Sequence, residues 1–288
     1  MTILELSDVC YTYDPGTPMA HEALSHIDLK IEKGSMTGLI GHTGCGKSTL
    51  LRMLNGLTKP DSGKILLGGQ DIWEDPKKIA AVRFRVGLVM QYPEYQLFDE
   101  TVASDIAYGP RNMGLSAEEI AVRVREAAAF AGLSDELLEK SPFELSGGQK
   151  RRAAIAGVMA MRPEILVLDE PAAGLDPMGR EEIFTGLARY RAESGATVVV
   201  VSHSMEDMAR YCDRLVVMND GKIILRGTQS EVFGRADELR GIGLGVPDIT
   251  RLCALLRAGG MPLPDDIYTV EAATAALLPL LGGDVHAR

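Results

Sequence analysis

A glycine-rich run, GHTGCGKS, carries the residue types that phosphate binding requires. It occupies positions 41–48, directly after the apolar run of residues 36–40 and at the start of a helical pattern over residues 47–57. Glycines let backbone N–H groups turn towards a phosphate, and the N-terminus of a helix favours an anion. The run therefore predicts a nucleotide-binding loop in which Lys47 reaches the β- and γ-phosphates and Ser48 ligates Mg²⁺. The predicted nucleotide contacts here are Gly41, His42, Thr43, Gly44, Cys45, Gly46, Lys47, Ser48 and, at the α-phosphate, Thr49. Because Cys45 lies inside the loop, alkylation of its thiol is expected to block ATP binding.

A second candidate for chemistry is the pair of carboxylates Asp169 and Glu170. They end the apolar run of residues 165–168, which places them at the mouth of a parallel sheet beside the phosphate loop. There Asp169 is predicted to hold the Mg²⁺ coordination shell, and Glu170 to orient and deprotonate the attacking water. Without the phosphate loop, the pair would be read as a strand running into a solvated acidic turn.

A third motif, LSGGQ, lies at positions 145–149 and is followed by three basic residues. A serine and two glycines begin a helix whose exposed N–H groups can bind an anion, or whose serine simply caps the helix. With this motif the chain resembles the ATP-binding cassette (ABC) family. The resemblance implies that Ser146, Gly147, Gly148 and Gln149 grip the γ-phosphate of an ATP that is bound to a second subunit.

The same resemblance assigns roles to four further residues. Gln91 matches the glutamine that contacts metal and water, and His203 matches the histidine that contacts the γ-phosphate. Asp176 matches the aspartate that communicates across the dimer, and Tyr13 matches the aromatic residue that stacks on adenine. Alone, each would be structural, and Tyr13 shares its strand face with Tyr11 as a core aromatic would. Catalytic roles thus fall to Glu170, His203, Gln91 and Lys47, and metal ligation to Ser48, Gln91 and Asp169.

The segment QYPEYQLFDETV at positions 91–102 makes the resemblance more specific. Together with IGHTG at 40–44, it is similar to the ATPases of energy-coupling factor (ECF) transporters. Such a transporter has two ATPase subunits, and the chain is more similar to the second of them than to the first. This implies an ATP- and Mg²⁺-dependent enzyme at the cytoplasmic face of the cell membrane. Its partners would be a homologous or identical ATPase, a transmembrane scaffold subunit, and a membrane substrate-binding subunit for a vitamin or metal ion.

Three acidic residues of this segment, Glu94, Asp99 and Glu100, are candidates for ion pairs with basic residues of the scaffold. The alternative is that they are solvated surface charges. The transported molecule is not readable from this chain, because a separate membrane protein would select it.

The composition is that of a globular protein. The 288 residues are 46% hydrophobic and 24% charged, and the longest apolar runs fall short of the roughly 18 residues of a spanning helix. A net charge of −10 argues against nucleic acid as a partner, because phosphate backbones are bound by clustered lysine and arginine. The four cysteines lack a C-x-x-C pair and fit reduced thiols, and the N-terminus lacks the pattern of a secretory signal.

The elements that must position these residues alternate between short apolar strands and helices, which predicts an α/β fold. The resemblance to the ABC family implies that this fold has a P-loop NTPase core of the ABC ATPase type. Residues 3–13 and 26–32 read as strands of an antiparallel β subdomain, and the runs at 36–40, 165–168 and 197–201 as buried parallel strands. Residues 99–161 predict a helical subdomain.

Local turn and cap signals predict further boundaries. Ser116 and Glu119 form a possible capping box for a helix over residues 116–131, as do Thr228 and Glu231 for a later one. Asn219-Asp220-Gly221 predicts a hairpin turn.

The chain divides into an ABC ATPase domain, residues 1–240, and a small C-terminal helical extension, residues 241–288. Two helices are predicted in the extension, over residues 248–258 and 270–281. An apolar face on the first of them is expected to pack on the ATPase domain or on a partner ATPase, and consists of Ile249, Leu252, Leu255 and Leu256.

Three other classes of protein were weighed against an ECF-type ATPase. Cassette proteins of DNA repair and chromosome maintenance carry a long coiled coil between the phosphate loop and LSGGQ, and the interval here is too short and lacks sustained heptads. Translation-factor cassettes have two ATPase units, whereas this chain has one. A catalytically dead ATP-binding partner is disfavoured by Glu170 and His203. The ATPase of another ABC importer stays open as an alternative.

Overall fold

The computed structural model describes residues 1–281, which form two β-sheets surrounded by helices. The strands are β1 Thr2–Tyr13, β2 His21–Glu32, β3 Met36–Ile40, β4 Ser62–Leu67, β5 Gln70–Asp71, β6 Val86–Val89, β7 Ile165–Asp169, β8 Thr197–Val201, β9 Arg214–Asn219 and β10 Lys222–Gly227. The helices are α1 Lys47–Leu54, α2 Ile79–Arg85, α3 Val102–Asn112, α4 Ala117–Phe130, α5 Asp135–Leu138, α6 Gly147–Met159, α7 Pro177–Ser194, α8 Met205–Tyr211, α9 Gln229–Phe233, α10 Ala236–Gly241, α11 Asp248–Ala258 and α12 Val270–Leu277. Short 3-10 helices lie at Pro76–Lys78, Pro93–Gln96, Pro142–Glu144 and Leu278–Leu281.

The larger sheet has six strands in the order β10-β9-β3-β8-β7-β6. Its neighbours pair in parallel, except for the antiparallel β9–β10 hairpin. Every residue of β3, β7 and β8 is buried, which confirms the prediction of buried parallel strands. Because parallel strands end at the same edge of a sheet, the loops after β3, β6, β7 and β8 meet there.

Two hydrophobic cores cover the two faces of this sheet. Along β7, Leu166 and Leu168 belong to the core that includes the helices α3, α4, α6 and α7. Ile165 and Val167 belong to the core shared with α1 and the smaller sheet. Each of these aliphatic side chains contributes roughly 1.5–3 kcal/mol by its burial. The strand ends that carry the candidate site are therefore held from both faces.

The smaller sheet is antiparallel, in the order β2-β1-β4-β5. The predicted antiparallel subdomain is confirmed, but β2 begins at His21, not at His26. The strands β4, β5 and β6 and the helix α2 were not predicted from the sequence.

The predicted helical subdomain is confirmed as α3 to α6. Ser116 caps α4 by accepting the Glu119 N–H at 3.2 Å. The predicted capping box is only half formed, because the Glu119 carboxylate accepts from Arg123 at 2.7 Å instead of returning to the cap. The capping box of Thr228 and Glu231 is complete.

The predicted hairpin turn joins β9 to β10. Asp220 and Gly221 have φ of 44° and 71°, the two left-handed residues that a two-residue hairpin turn of type I′ requires.

The C-terminal extension forms a small core of its own around Cys253, Leu263, Ile267 and Ala273. The helix α11 has its predicted bounds. The predicted apolar face of α11 is only partly correct. Ile249 and Leu256 pack against this small core, whereas Leu252 and Leu255 are exposed. The other predicted helix, over 270–281, is α12 followed by a 3-10 turn that contains Pro279, whose ring cannot continue an α-helix.

Residues 282–288, the end of the predicted extension, lie outside the described part of the chain. Within residues 1–281 no helix is long and apolar enough to cross a membrane.

Candidate nucleotide site

A cavity of about 500 Å³ opens at the edge where the parallel strands end. Most of its lining residues were predicted from the sequence. They are Tyr13, Thr43, Gly44, Gly46, Lys47, Ser48, Thr49, Gln91, Glu170 and His203, together with His21 and Ala23. The fold thus brings together residues from β1, β2, the phosphate loop, and the loops after β6, β7 and β8.

The phosphate loop is shaped by close backbone approaches. Gly46, just before α1, has φ 102°, and a Cβ there would lie 2.5 Å from the Ala23 carbonyl oxygen. Only glycine fits such a position. No side chain caps α1, so the N–H groups of its first turn face the cavity without a competing acceptor from the cap residue. A helix N-terminus of this kind binds an anion readily.

Lys47 is buried at the start of α1. Its Nζ donates hydrogen bonds to the carbonyl oxygens of Gly41 at 2.7 Å and His42 at 2.8 Å. These bonds satisfy a buried ammonium group and hold it over the loop. A phosphate oxygen that replaced one of these carbonyls would give Lys47 a stronger, charge-assisted partner.

His42 connects the loop to the β9–β10 hairpin. Its Nε2 lies 2.9 Å from Asn219 Oδ1, and its Nδ1 lies 2.9 Å from the Thr43 carbonyl oxygen. The imidazole is therefore used within the chain, and it does not line the cavity.

Cys45 differs from the expectation that its thiol reacts with an alkylating reagent and so blocks ATP binding. The side chain is 1% exposed, and the Lys47 Nζ donates to its Sγ at 3.7 Å. The thiol packs behind the loop near Gly41, where a Cβ would come within 2.6 Å of the sulfur. A reagent cannot reach it in the folded protein, so this expectation was wrong.

Two of the three predicted metal ligands, Ser48 and Gln91, line the cavity. The third, Asp169, is buried behind it and accepts a hydrogen bond from the Ser48 hydroxyl at 2.7 Å. A hydroxyl, a carboxylate and an amide offer only oxygen ligands, which is the set that Mg²⁺ prefers. The residues present therefore fit the expected ion.

Glu170 and His203 form the second polar pair of the cavity. His203 Nε2 lies 2.8 Å from Glu170 Oε1, and the side chains are 48% and 18% exposed. Glu170 has φ 50°, and its N–H donates to the Val201 carbonyl oxygen at 3.1 Å. A left-handed glutamate is strained, and such strain clusters at functional sites. The turn after β7 aims the carboxylate towards the histidine that follows β8.

Tyr13 lines the cavity near the start of α1. Its hydroxyl is 3.0 Å from the Thr49 Oγ1, and its ring packs edge-on against Tyr11. His21, which pairs with Tyr13 across β1 and β2, was missed from the sequence. The sequence did contain a signal for His21. In a hairpin, a first strand that extends to Tyr13 needs a second strand that begins early enough to pair with it, and that strand begins at His21.

The LSGGQ segment and Asp176 are not brought to this cavity. Ser146 caps α6 in a complete capping box with Gln149, with N–H to side-chain distances of 2.9 and 3.3 Å. Ser146 and Gly147 are exposed. Asp176 caps α7 by accepting the Gly179 N–H at 2.7 Å. This placement leaves the first turn of α6 available to another molecule.

Arg151, on α6, is a connection that was not predicted from the sequence. Its guanidinium donates to both carboxylate oxygens of Glu94, at 2.6 and 3.0 Å, and to the Ala173 carbonyl oxygen. Burial raises the pKa of Glu94, but the hydrogen bond from Arg151, a hydrogen bond from the Glu94 backbone and the positive charge of Arg151 together outweigh it, so that the pKa is lowered. The suggestion that Glu94 pairs with a scaffold subunit was therefore wrong, because its carboxylate is already taken within the chain.

Comparison with known proteins agrees with this geometry. The family model described as "ABC transporter" matches residues 24–173. A protein of Caldanaerobacter subterraneus named energy-coupling factor transporter ATP-binding protein EcfA2 is 52% identical over 97% of this chain and 98% of its own length. The protein of that name from Clostridium acetobutylicum is 50% identical, over 96% and 98%.

Solved structures give the same picture. The cbiO1 protein of Clostridium perfringens, described as part of the ABC transporter complex cbiONQ, superposes with a TM-score of 0.75 at 40% identity, over 88% of this chain and 99% of that one. The ATP-binding cassette MJ0796, in a dimeric post-hydrolysis state bound to ADP and phosphate, gives 0.70 at 30% identity, over 78% and 98%. The chain therefore belongs to the ABC transporter family, among the ATP-hydrolysing proteins of energy-coupling factor transporters.

Proposed function

We propose that this chain hydrolyses ATP at a site it shares with a second ATPase subunit, and that it thereby powers uptake of a vitamin or metal ion through membrane subunits. The observation that carries the proposal is the division of the phosphate-binding parts. One cavity is lined by Lys47, by Ser48, which is hydrogen-bonded to Asp169, and by the Glu170–His203 pair, whereas the exposed Ser146 lies outside it.

Within the cavity, each pair has a distinct task. Ser48, Asp169 and Gln91 would hold Mg²⁺, which neutralises charge on the phosphates when it is bound. Glu170 orients the attacking water and accepts its proton, and His203, hydrogen-bonded to the same carboxylate, faces the γ-phosphate. Lys47 contributes a positive charge at the β- and γ-phosphates.

The second part of the site comes from α6 of the partner ATPase. The first N–H groups of a helix have no intrahelical acceptor, and the capping box uses those of Ser146 and Gln149 only. The N–H groups of Gly147 and Gly148 stay free to contact a γ-phosphate that the partner's loop holds. Asp176, at the start of α7, is assigned to the same dimer interface.

The surface that meets the transmembrane scaffold is proposed to lie between Pro93–Gln96 and α3. Tyr95, Phe98 and Tyr108 are 84%, 64% and 50% exposed, and such a group of aromatic side chains is typical of a protein interface. Glu100 adds negative charge beside it, and so does Asp99, whose carboxylate lies at the longer distance of 3.5 Å from Arg111. Asp105 fixes this loop by accepting the N–H groups of Phe98 and Asp99 at 3.1 and 3.2 Å.

The assignment of the base is tested with Glu170→Gln, which keeps the size of the side chain and removes its basicity. We expect ATP hydrolysis to fall by about 10²- to 10⁴-fold while ATP binding persists, so that an ATP-bound dimer accumulates. Steady-state phosphate release and light scattering with and without ATP measure the two effects. Glu193→Gln, an exposed carboxylate on α7, is the matched control. Hydrolysis at the wild-type rate in Glu170→Gln would refute the assignment.

The docking surface is tested by the double reversal Asp99→Lys and Glu100→Lys. We expect loss of copurification with the membrane scaffold subunit while ATP binding by the isolated chain is unchanged. Glu193→Lys makes a charge reversal on α7 and should copurify normally. Normal assembly of the double variant would rule out these carboxylates as scaffold contacts.

A further inference from the structure

Three metal-ligating side chains lie together on the smaller sheet, outside the nucleotide cavity. Each of Asp8, Cys10 and His26 offers one ligand atom, and these three atoms all lie within 4.8 Å of one another. Asp8 Oδ1 is 2.6 Å from His26 Nδ1, and the His26 backbone N–H donates to the Cys10 Sγ at 3.2 Å. None of the three lines the nucleotide cavity or takes part in the proposed reaction.

Two β-bulges, one in each strand, bring these side chains together. In the β1–β2 register Leu6 pairs with Leu29 and Val9 with Ile27, so residues 7 and 8 oppose residue 28 alone. Tyr11 pairs with Leu24, so residues 25 and 26 oppose residue 10 alone. Bulges re-aim side chains, and here Asp8 lies in one bulge and His26 in the other.

The backbone at both bulges is strained. Asp8 has φ 52° and His26 has φ 51°, in the left-handed region that non-glycine residues seldom adopt. The arrangement is supported from neighbouring strands: the Asp28 carboxylate accepts the Asp8 N–H at 3.0 Å, and Gly63 lies so close that a Cβ would be 2.3 Å from the Asp8 carbonyl oxygen.

An Asp8–His26 ion pair alone does not explain this construction. Both side chains are about 70% exposed, at 69% and 71%, and exposed ion pairs contribute little to stability. That contribution is smaller than the strain of two left-handed non-glycine residues. An ion pair also makes no use of the Cys10 sulfur, which lies beside it.

We propose that Asp8, Cys10 and His26 bind one divalent transition metal of the zinc class. A thiolate, an imidazole and a carboxylate are the three protein ligands that Zn²⁺ takes, and in this exposed position water supplies the fourth. The oxygen-preferring ions Mg²⁺ and Ca²⁺ do not suit a site with sulfur and nitrogen. The Asp28 contact to the Asp8 backbone and the N–H bond to Cys10 act as the supporting shell that fixes the ligands. The ion would join β1 to β2.

Absorption spectroscopy tests the proposal directly. The full chain, metal-free and without an affinity tag or nucleotide, is titrated with Co²⁺ as a spectroscopic substitute for Zn²⁺. We expect saturation at one equivalent, with a thiolate-to-metal charge-transfer band that added Zn²⁺ removes. The cavity ligands Ser48, Gln91 and Asp169 contain no sulfur, so Co²⁺ bound there produces no such band.

Variants assign the ligands. Cys10→Ser should remove the charge-transfer band, and Asp8→Asn and His26→Asn should each weaken binding at least about tenfold, the loss typical even of supporting groups. Asparagine tolerates the left-handed backbone at both positions. Cys253→Ala, which removes a buried thiol of the C-terminal extension, should leave the titration unchanged. No band in the wild type, or a band that survives in Cys10→Ser, would overturn the proposal, as would unchanged affinity in either asparagine variant.

A second measurement needs no variant. Cys45, Cys212 and Cys253 are buried, and only Cys10 is partly exposed among the four thiols. Iodoacetamide should therefore modify Cys10 first in the presence of EDTA, as peptide mapping would show. One equivalent of Zn²⁺ should protect it, and equal rates of modification with and without Zn²⁺ would contradict metal binding at this thiol.

Discussion

Two helices of this molecule begin with residues suited to bind phosphate, but their surroundings differ. The start of α1 is enclosed: Gly46 precedes it without a side-chain cap, and the buried Lys47 and the Glu170 carboxylate after β7 share its cavity. The start of α6 is exposed, capped by its own Ser146 and Gln149. A helix N-terminus is thus a general anion site, and its neighbours decide whether a whole reaction can occur there.

The difference suggests that α1 serves the nucleotide that this chain holds, whereas α6 serves a nucleotide held elsewhere. Arg151 connects the two regions through Glu94, in the loop after β6, and Ala173, in the loop after β7. The predictions below test this division of tasks, beginning with complete loss of activity.

Mixing two inactive variants gives the largest effect. Lys47→Met removes the charge at α1, and Gly147→Asp places a carboxylate at the start of α6, where a Cβ meets no atom within 4 Å. An acidic residue stabilises a helix N-terminus but repels a phosphate. Each variant alone should lose ATP hydrolysis by a factor on the order of 10³.

If two identical chains form the dimer, an equal mixture should recover about a quarter of wild-type hydrolysis, because half of the dimers hold one intact site. If hydrolysis in that mixture does not rise above that of the single variants, but a different ATPase restores hydrolysis when it is added to the Lys47→Met chain, the natural dimer consists of two different ATPases. Full activity of Gly147→Asp alone would contradict any role of α6 in catalysis.

The link between the regions is tested by Arg151→Met. The change leaves the Glu94 carboxylate, whose side chain is 15% exposed, without its partner, which should lower the free energy of unfolding by up to about 3–5 kcal/mol. Urea denaturation measures the loss, and Arg151→Met combined with Glu94→Leu should recover most of it, because both charges are then absent. Arg125→Met, on the exposed side of α4, should change stability by less than about 0.5 kcal/mol. If Arg151→Met and Arg125→Met lowered the free energy of unfolding by equally small amounts, Arg151 would not be a stabilising link between the two regions.

The strands that carry the site were predictable because their sequence pattern is local. The runs that became β3, β7 and β8 are short and apolar, and each is followed by a polar or glycine-rich loop; their bounds agree with the structure within one residue. The strand β6 has the same apolar character but is only four residues long, and β4 has buried side chains only at Ile65 and Leu67. Both patterns were too weak to predict.

Contacts distant in sequence could not be predicted. Glu94 was interpreted as a scaffold contact or a solvated charge, but its partner Arg151 is 57 residues away in the same chain. Cys45 was expected to react with an alkylating reagent because it lies inside the phosphate loop, and only the packing of the loop near Gly41 shows that it is buried. Among the predicted catalytic residues, Lys47 and Glu170 followed from the chemistry of the phosphate loop and of the strand end, whereas Gln91 and His203 were identified by the family resemblance.

A smaller effect comes from two serines that each accept an N–H group of the first turn of their helix. Ser116 caps α4 and Ser146 caps α6, accepting N–H groups at 3.2 and 3.3 Å. Replacing either with alanine should cost about 1 kcal/mol of stability, as measured by urea denaturation. Only Ser146→Ala should also slow ATP hydrolysis, because only α6 is proposed to contact a nucleotide. Equal hydrolysis rates in the two variants would mean that Ser146 is a cap and nothing more.

The smallest predicted effect is a pH dependence of the Arg151–Glu94 connection. Because the pKa of Glu94 is lowered in the folded chain, its ionised form adds stability that is fully present above the ordinary glutamate pKa of about 4.3. That stability is lost as the pH falls through the lower, folded value. The difference in unfolding free energy between the wild type and Glu94→Gln should therefore be constant near neutral pH and shrink in acid. Urea denaturation from pH 7 down to about pH 3 measures it, with Glu193→Gln as control. If the difference in unfolding free energy stayed constant into acid, the ionised form of Glu94 would contribute nothing to the link, and packing and neutral hydrogen bonds alone would join the two regions.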